Sequence, residues 1–194
     1  MYGSSFSELP PVVKNLLIIN CLVFFAQTTI FPFYNFYLWP VLSENFNLYQ
    51  LITYSFLHGS ISHLFFNMFA LYMFGRVLEN TWGSKRFLNF YLLTAICAGI
   101  IQLLVEPSSP TIGASGAVFG LLAGFGTLFP NTQLFLLFPP VPIKAKYFVL
   151  GYACLELINA LSVESNIAHW AHLGGALAGY FIIQFWRKNN SNFY

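Results

Sequence analysis

Four polar side chains near the heads of apolar segments are the residues of this sequence best suited to chemistry. Ser115 stands in "GASG" and His172 in "AHWAHLGG". A serine hydroxyl beside an imidazole is a nucleophile with its general base, and the pair can attack a carbonyl carbon. His63 and Asn67 are four residues apart, so they share a helix face. Together with the Ser115 backbone N–H they could stabilise the oxyanion that forms.

A structural interpretation competes with this one, because Ser and His within membrane helices also simply hydrogen-bond to a neighbouring helix. That alternative would be preferred for one such residue, whereas four near one depth favour a functional site. The nucleophile elbow of soluble hydrolases has a glycine two residues after the serine. "GASG" does not match that motif, since Ala117 stands at this position. The chain has no Asp, so a Ser-His-Asp triad is excluded and a Ser-His dyad is predicted.

The composition places these residues in a membrane. Of 194 residues 57% are hydrophobic and only 7% charged, with a mean hydropathy of +0.66, whereas soluble domains carry about 25% charged residues. The three cysteines lie in apolar runs without the spacing of metal ligands, so they are expected to be buried structural thiols. A net charge of +2 gives no indication of a nucleic-acid partner.

Six apolar runs predict six membrane-spanning helices in one domain, residues 1–194. Each run is long and lacks the alternation of barrel strands, so the expected fold class is an all-α membrane bundle. No cleavable signal precedes the first run and no appended soluble domain is expected. The runs cover residues 12–30, 62–79, 87–105, 115–129, 146–163 and 167–186.

The charges supply an orientation for this bundle. With six spans, every Lys and Arg falls on one side, and the opposite loops hold only Glu44, Glu106 and Glu164. Positive charge collects on the cytoplasmic side, so both termini are predicted to be cytoplasmic. The cations are Lys14, Arg76, Lys85, Arg86, Lys144, Lys146, Arg187 and Lys188.

The fourth run and its glycines indicate how the polar residues meet. Residues 115–129 would span roughly 22 Å, too short for a hydrocarbon core of about 30 Å. The preceding loop, which contains Gly113, must then dip inwards and set Ser115 at the floor of a cavity. Small residues repeat every four positions in the fourth and sixth runs, and packing along these stripes would bring Ser115 towards His172. The stripes are Gly116, Gly120 and Gly124 in the fourth run, and Gly175 and Gly179 in the sixth.

Four segments together resemble the rhomboid family of intramembrane serine proteases, over roughly residues 46–186. They are "HGSISHLFFNMFALYMFG", "ENTWGSKRFLNFY", "GASGAVFG" and "AHWAHLGGALAGY". The resemblance implies that Ser115 is the nucleophile and His172 the base, with His63 and Asn67 serving the oxyanion. It implies cleavage of single-span membrane proteins that enter sideways from the lipid bilayer, without metal or cofactor. A prokaryotic plasma membrane is the expected location.

The chain departs from the family pattern at two places. Residues 31–61 contain no Arg, whereas the family often has a Trp-Arg pair in this first outer loop, and "NLYQLITY" stands in the corresponding place. Phe119 stands one turn after Ser115, where many members carry Tyr, so a ring can stack on His172 without a hydroxyl.

Three further polar residues lie outside the predicted dyad and its oxyanion donors. His58 and His169 are expected to be structural. Glu156, inside the fifth run, is a functional candidate by default, although a structural role is favoured.

The rival to the protease function is a non-catalytic membrane protein, either a small transporter or a binder of membrane helices. A transporter would more often show paired halves, and the sequence has no convincing internal repeat.

Overall fold

Six long helices make up most of the protein. A computed structural model describes residues 9–135, 141–162 and 167–189, so Glu164 of the predicted outer loops lies outside the described residues. Each long helix lies over one of the six apolar runs, with ends that differ by a few residues. The helices are α1 (Pro11–Thr29), α2 (Ile61–Trp82), α3 (Ser84–Val105), α4 (Ser115–Leu128), α5 (Ala145–Ser162) and α6 (His169–Asn189).

Three of these helices, α1, α2 and α3, are long and apolar enough to cross a membrane. Helix α4 is apolar but has only 14 residues. The expected count of six spans therefore stays a prediction. Helix α2 contains one π-helical turn, Leu71–Gly75. Two short antiparallel strands, Gln133–Phe135 and Pro142–Lys144, precede α5 and were not anticipated by the all-α prediction.

Helix α4 is the centre of the bundle. Of its 14 residues 12 are buried, and it packs mainly against α3 and α6. Close packing is possible because its glycines leave the backbone bare. A Cβ atom on Gly116 would lie 2.5 Å from the Cβ of Ala98 in α3. On the α6 side, a Cβ on Gly179 would lie 2.6 Å from the carbonyl oxygen of Gly120, so α6 packs directly against the α4 backbone, whereas α3 reaches it through the small Ala98 side chain.

The loop between α1 and α2 is held by a buried glutamine. The Gln50 side chain donates to the carbonyls of Asn35 and Asn45 at 3.0 and 2.8 Å, and its oxygen accepts from the Trp39 N–H at 3.2 Å. Gln50 has no exposed surface. A neutral amide thus ties three points of the loop together in a region that has no arginine, which the sequence left unexplained.

At the other end of the bundle a buried carboxylate joins three helices. Glu79 near the end of α2 accepts from the Val12 and Val13 N–H groups at 2.9 and 2.7 Å. The Ser84 hydroxyl, at the start of α3, donates to the same carboxylate at 2.7 Å. The first N–H groups of α1 have no helical partner, so Glu79 satisfies them and complements the positive end of the helix dipole.

Candidate active site

Ser115 is the first residue of α4, and its hydroxyl meets the imidazole of His172 near the start of α6. The Ser115 Oγ and His172 Nε2 atoms are 2.7 Å apart, and His172 is 8% exposed. The backbone N–H groups of a first helical turn have no intrahelical acceptor and carry the positive end of the helix dipole. The hydroxyl therefore lies where donors for a developing oxyanion are already present.

Two stacked aromatic rings hold the imidazole of His172. The Phe119 ring lies parallel to it, with 4.4 Å between centroids and an interplanar angle of 8°. Tyr152 of α5 stacks on Phe119 at 5.3 Å. The stack limits rotation of the imidazole and directs Nε2 at Ser115, so it needs only the ring of Phe119 and no hydroxyl.

His63 lies in the first turn of α2, whose N-terminus is capped by the Ser60 hydroxyl. The Gly59 N–H donates to His63 Nδ1 over 3.4 Å, a long hydrogen bond. A neutral imidazole that accepts at Nδ1 carries its proton on Nε2, so His63 is set up as a donor at that nitrogen. One turn further, the Asn67 side chain donates one N–H to the His63 carbonyl at 3.0 Å, and its second N–H can donate to another acceptor.

Gly113 provides the space between these groups. Its backbone φ of +133° is one that residues with a side chain rarely adopt, and its N–H donates to the Tyr54 carbonyl at 2.9 Å. A Cβ at this position would lie 2.8 Å from Nε2 of His63 and 3.5 Å from Oγ of Ser115. The gap over Gly113 is thus bordered by a potential donor and by the hydroxyl, which suits a substrate carbonyl group.

His58 packs behind His63 and has no exposed surface. The ring centroids are 5.0 Å apart, and neither nitrogen of His58 has a well-formed hydrogen bond within the described residues. Gln27 of α1 fixes the backbone instead, donating to the His58 carbonyl at 2.8 Å and accepting from its N–H at 3.2 Å. Burial, reinforced by His63 and partly offset by the Phe56 carbonyl, lowers the pKa of His58 to about 3.

This burial makes a measurable contribution to pH dependence. The pKa of histidine in an unfolded chain is near 6.5, so below that pH the unfolded chain binds a proton at residue 58 that the folded protein does not bind. The unfolding free energy therefore decreases as the pH is lowered. Between pH 6.5 and pH 5 this one group removes about 1.5 kcal/mol. We expect His58→Gln, which cannot ionise, to have a flatter pH profile of unfolding free energy in detergent micelles. Parallel profiles for the two proteins would show that His58 takes up its proton without unfolding.

Beside the Ser115–His172 pair lies a cluster of three buried titratable groups. The Glu156 Oε2 atom is 2.5 Å from Nδ1 of His169 and 3.0 Å from Nδ1 of His172. The first contact is a hydrogen bond. The second is close enough for an ion pair, but the Nδ1–H direction of His172 does not point straight at the oxygen, so it is not a linear hydrogen bond. One donor atom from each of the three residues lies within 4.8 Å of the others, so this is the set among the described residues best able to hold a metal ion.

The sequence did not indicate that Glu156 and His169 would contact each other, or that Gln27 would bond to the His58 backbone. Glu156 precedes His172 by sixteen residues and sits on another helix, and α5 is apolar on all sides, so its rotation could not be read from a polar stripe. The one available signal was the cost of a carboxyl group at membrane depth, which demands a partner.

Comparison with known proteins gives the family of the chain and agrees with its helical fold. A family model described as Rhomboid domain matches residues 45–189. The putative rhomboid protease YdcA of Bacillus subtilis is 32% identical over 191 residues, covering 93% of this chain and 90% of that protein. Rhomboid-like protease 3 of Toxoplasma gondii is 30% identical over 147 residues, covering 75% of this chain and 54% of that protein.

The chain belongs to the rhomboid family, as the resemblance in its sequence motifs predicted. The rhomboid domain is a helical membrane bundle, so the predicted fold class of an integral membrane protein is confirmed. The chain spans about half or less of the length of several curated relatives. It covers 38% of rhomboid protein 1 from the mitochondria of Saccharomyces cerevisiae, for example, and 25% of rhomboid protease GluP of Bacillus subtilis.

Proposed function

We propose that this protein is an intramembrane serine endopeptidase that cleaves single-span membrane proteins within or near their transmembrane segment. Its relatives carry the names of rhomboid proteases, which supports intramembrane proteolysis in general. The observation that carries the specific proposal is the 2.7 Å contact between Ser115 Oγ and His172 Nε2 at the start of a buried helix. The position of the hydroxyl supports the proposal too, because the first N–H groups of α4 have no helical acceptor and can serve a developing oxyanion.

The proposed reaction is acyl transfer with a Ser-His dyad as its reacting groups. The Ser115 oxygen attacks the scissile carbonyl carbon while its proton passes to Nε2 of His172. Negative charge collects on the carbonyl oxygen, where the Ser115 N–H, His63 and Asn67 are the proposed donors. His172 then protonates the leaving amine as the C–N bond breaks. A water molecule, deprotonated by the same imidazole, releases the acyl group from Ser115.

The substrate class follows from the surroundings of the site. A transmembrane helix buries its carbonyls in its own hydrogen bonds, so the substrate must unwind locally before Ser115 can reach a carbonyl carbon. Sequences that unwind easily, with a small residue before the cut, are the expected targets. The proposed partners are therefore transmembrane protein substrates and the lipid bilayer, without nucleic acid, metal or cofactor.

The proposed location is a prokaryotic plasma membrane, with both termini in the cytoplasm. Several cations lie at one end of the bundle. Arg86, at the start of α3, lies 5.4 Å from the ring of Trp186 near the end of α6, and Trp186 also contacts Trp82 at the end of α2. Ser115 lies at the start of α4, at the opposite end. The positive-inside rule then makes the cation-rich end cytoplasmic and opens the site outwards.

The test is cleavage of a generic single-span substrate in proteoliposomes by the wild type and by Ser115→Ala. A product that disappears with the hydroxyl supports the proposal, whereas equal cleavage by both proteins contradicts it. Labelling with a serine-reactive fluorophosphonate covers the case of an unsuitable substrate. Label on the wild type but not on Ser115→Ala retains the nucleophile. No label on either folded protein favours the rival, a non-catalytic binder of membrane helices.

A further inference from the structure

We infer that Glu156 is the third member of the catalytic arrangement: its carboxylate positions His172 and balances the imidazolium that forms during the reaction. This inference rests on the proposed function and extends the dyad to a Ser-His-Glu triad. Glu156 Oε2 lies 3.0 Å from Nδ1 of His172, and the opposite ring nitrogen, Nε2, lies 2.7 Å from Ser115 Oγ. The three side chains thus lie in the order carboxylate, imidazole, hydroxyl.

The burial pattern of α5 indicates that the carboxyl group is there for the site. Among the eighteen residues of this helix, Ala145 and Glu156 are the buried ones. A helix that otherwise presents apolar side chains outwards turns a carboxyl group inwards, next to His172. Burying a carboxylate is expensive unless it is paired and hydrogen-bonded. Here it has two imidazoles as partners, and both reach the same oxygen atom.

The tautomer of His172 supplies the chemical reason. Neutral imidazole carries one proton, and Ser115 can give its own proton only to an Nε2 that holds a lone pair. The proton must then sit on Nδ1, facing Glu156. The other tautomer would set the Nδ1 lone pair against a carboxylate oxygen at 3.0 Å, which is repulsive. Glu156 therefore selects the tautomer in which His172 can act as a base.

The same carboxylate acts during the attack. When the Oγ–C bond forms, the Oγ proton moves to Nε2 and His172 becomes a cation that keeps its Nδ1 proton. Glu156 stays ionised throughout and faces that cation, and the Nε2 proton later leaves with the amine. The Nδ1–H direction is not linear with the carboxylate oxygen, so at 3.0 Å Glu156 acts on His172 mainly through its charge.

In this arrangement His169 holds the Glu156 carboxylate in place. It is bonded to Glu156 through Nδ1 at 2.5 Å and lies edge-on to His172, with ring centroids 6.2 Å apart. It touches the carboxylate and not the hydroxyl. Its replacement by glutamine keeps a donor for Glu156, so this variant is the matched control for a change at Glu156 itself.

The kinetic test compares Glu156→Gln with His169→Gln in proteoliposomes, with EDTA present to remove metal ions. We expect Glu156→Gln to lower kcat by about 10²- to 10⁴-fold with KM changed less than about threefold. Glu156→Asp, which keeps the charge, should restore part of kcat, and His169→Gln should lose less than about tenfold. A wild-type kcat in Glu156→Gln would overturn the inference. Equal losses in Glu156→Gln and His169→Gln would do so too, because they would reduce Glu156 to a partner of His169.

A second measurement needs no variant that must fold and no substrate. Nitrogen-15 NMR of histidine-labelled wild-type protein should show the neutral imidazole of His172 protonated at Nδ1, the nitrogen that faces Glu156. A proton on Nε2 instead would overturn the inference. If Ser115→Ala cleaves as fast as wild type, the protease proposal fails, and the NMR result still decides whether Glu156 sets the tautomer.

Discussion

Ser115→Ala should lower kcat by about 10⁴-fold or more, and combining it with His172→Ala should add no further loss. The hydroxyl and the imidazole act as one unit because each is useless in this reaction without the other. Removing either one removes the whole proton-transfer step, and whatever remains comes from substrate binding and from the oxyanion donors, which both variants keep. The 2.7 Å contact between the two side chains is the structural basis of this expectation.

The measurement is product accumulation from a single-span substrate over long incubations, followed by mass spectrometry for the wild type, both single variants and the double variant. Ser108→Ala is the matched control, since it removes a hydroxyl from the exposed loop before Ser115, and it should cleave at the wild-type rate. Losses that multiply in the double variant would mean that Ser115 and His172 contribute independently. The proposed proton transfer between them would then be wrong.

The positions of the long helices were readable from the sequence because lipid leaves few alternatives. Runs of apolar residues that must satisfy their own backbone hydrogen bonds become helices. Small-residue stripes are a further signal, and in the structure α4 and α6 meet along Gly116 and Gly175. The anchoring of the loop between α1 and α2 could not be predicted, because Gln50 acts through backbone carbonyls of Asn35 and Asn45, whose positions no side-chain pattern encodes.

The arrangement around His172 shows a different limit. Ser115, His172 and Phe119 each stand near the start of a helix that carries small residues, so their faces could be inferred from spacing. Glu156 stands in a helix that is apolar all round, where spacing gives no rotational phase. The absence of Asp pointed to a dyad, yet Glu156 offers the same carboxylate chemistry as an Asp from a longer side chain.

Gly175→Ala should be the most damaging single methyl group in the bundle. A Cβ at Gly175 would overlap the carbonyl oxygen of Gly116, so α4 and α6 would have to move apart. The Gly116 carbonyl belongs to the backbone of α4, so it cannot rotate away as a side chain could. Helix α3 packs against the opposite face of α4 and limits its movement. Overpacking of this kind costs about 1–3 kcal/mol, and more where the backbone cannot yield.

The same displacement reaches the site, because Gly116 is the next residue after Ser115 and Gly175 lies one turn after His172. Gly175→Ala should therefore lower both the unfolding free energy in detergent and kcat, by about tenfold or more, since small misplacements of reacting groups are costly. Gly151→Ala is the control: it sits within α5, and a Cβ there meets nothing within 4 Å. That variant should keep wild-type activity and gain up to about 1 kcal/mol from helix propensity. Equal behaviour of the two variants would mean that α4 and α6 do not pack at backbone distance, and the 2.7 Å contact between Ser115 and His172 would lose its structural support.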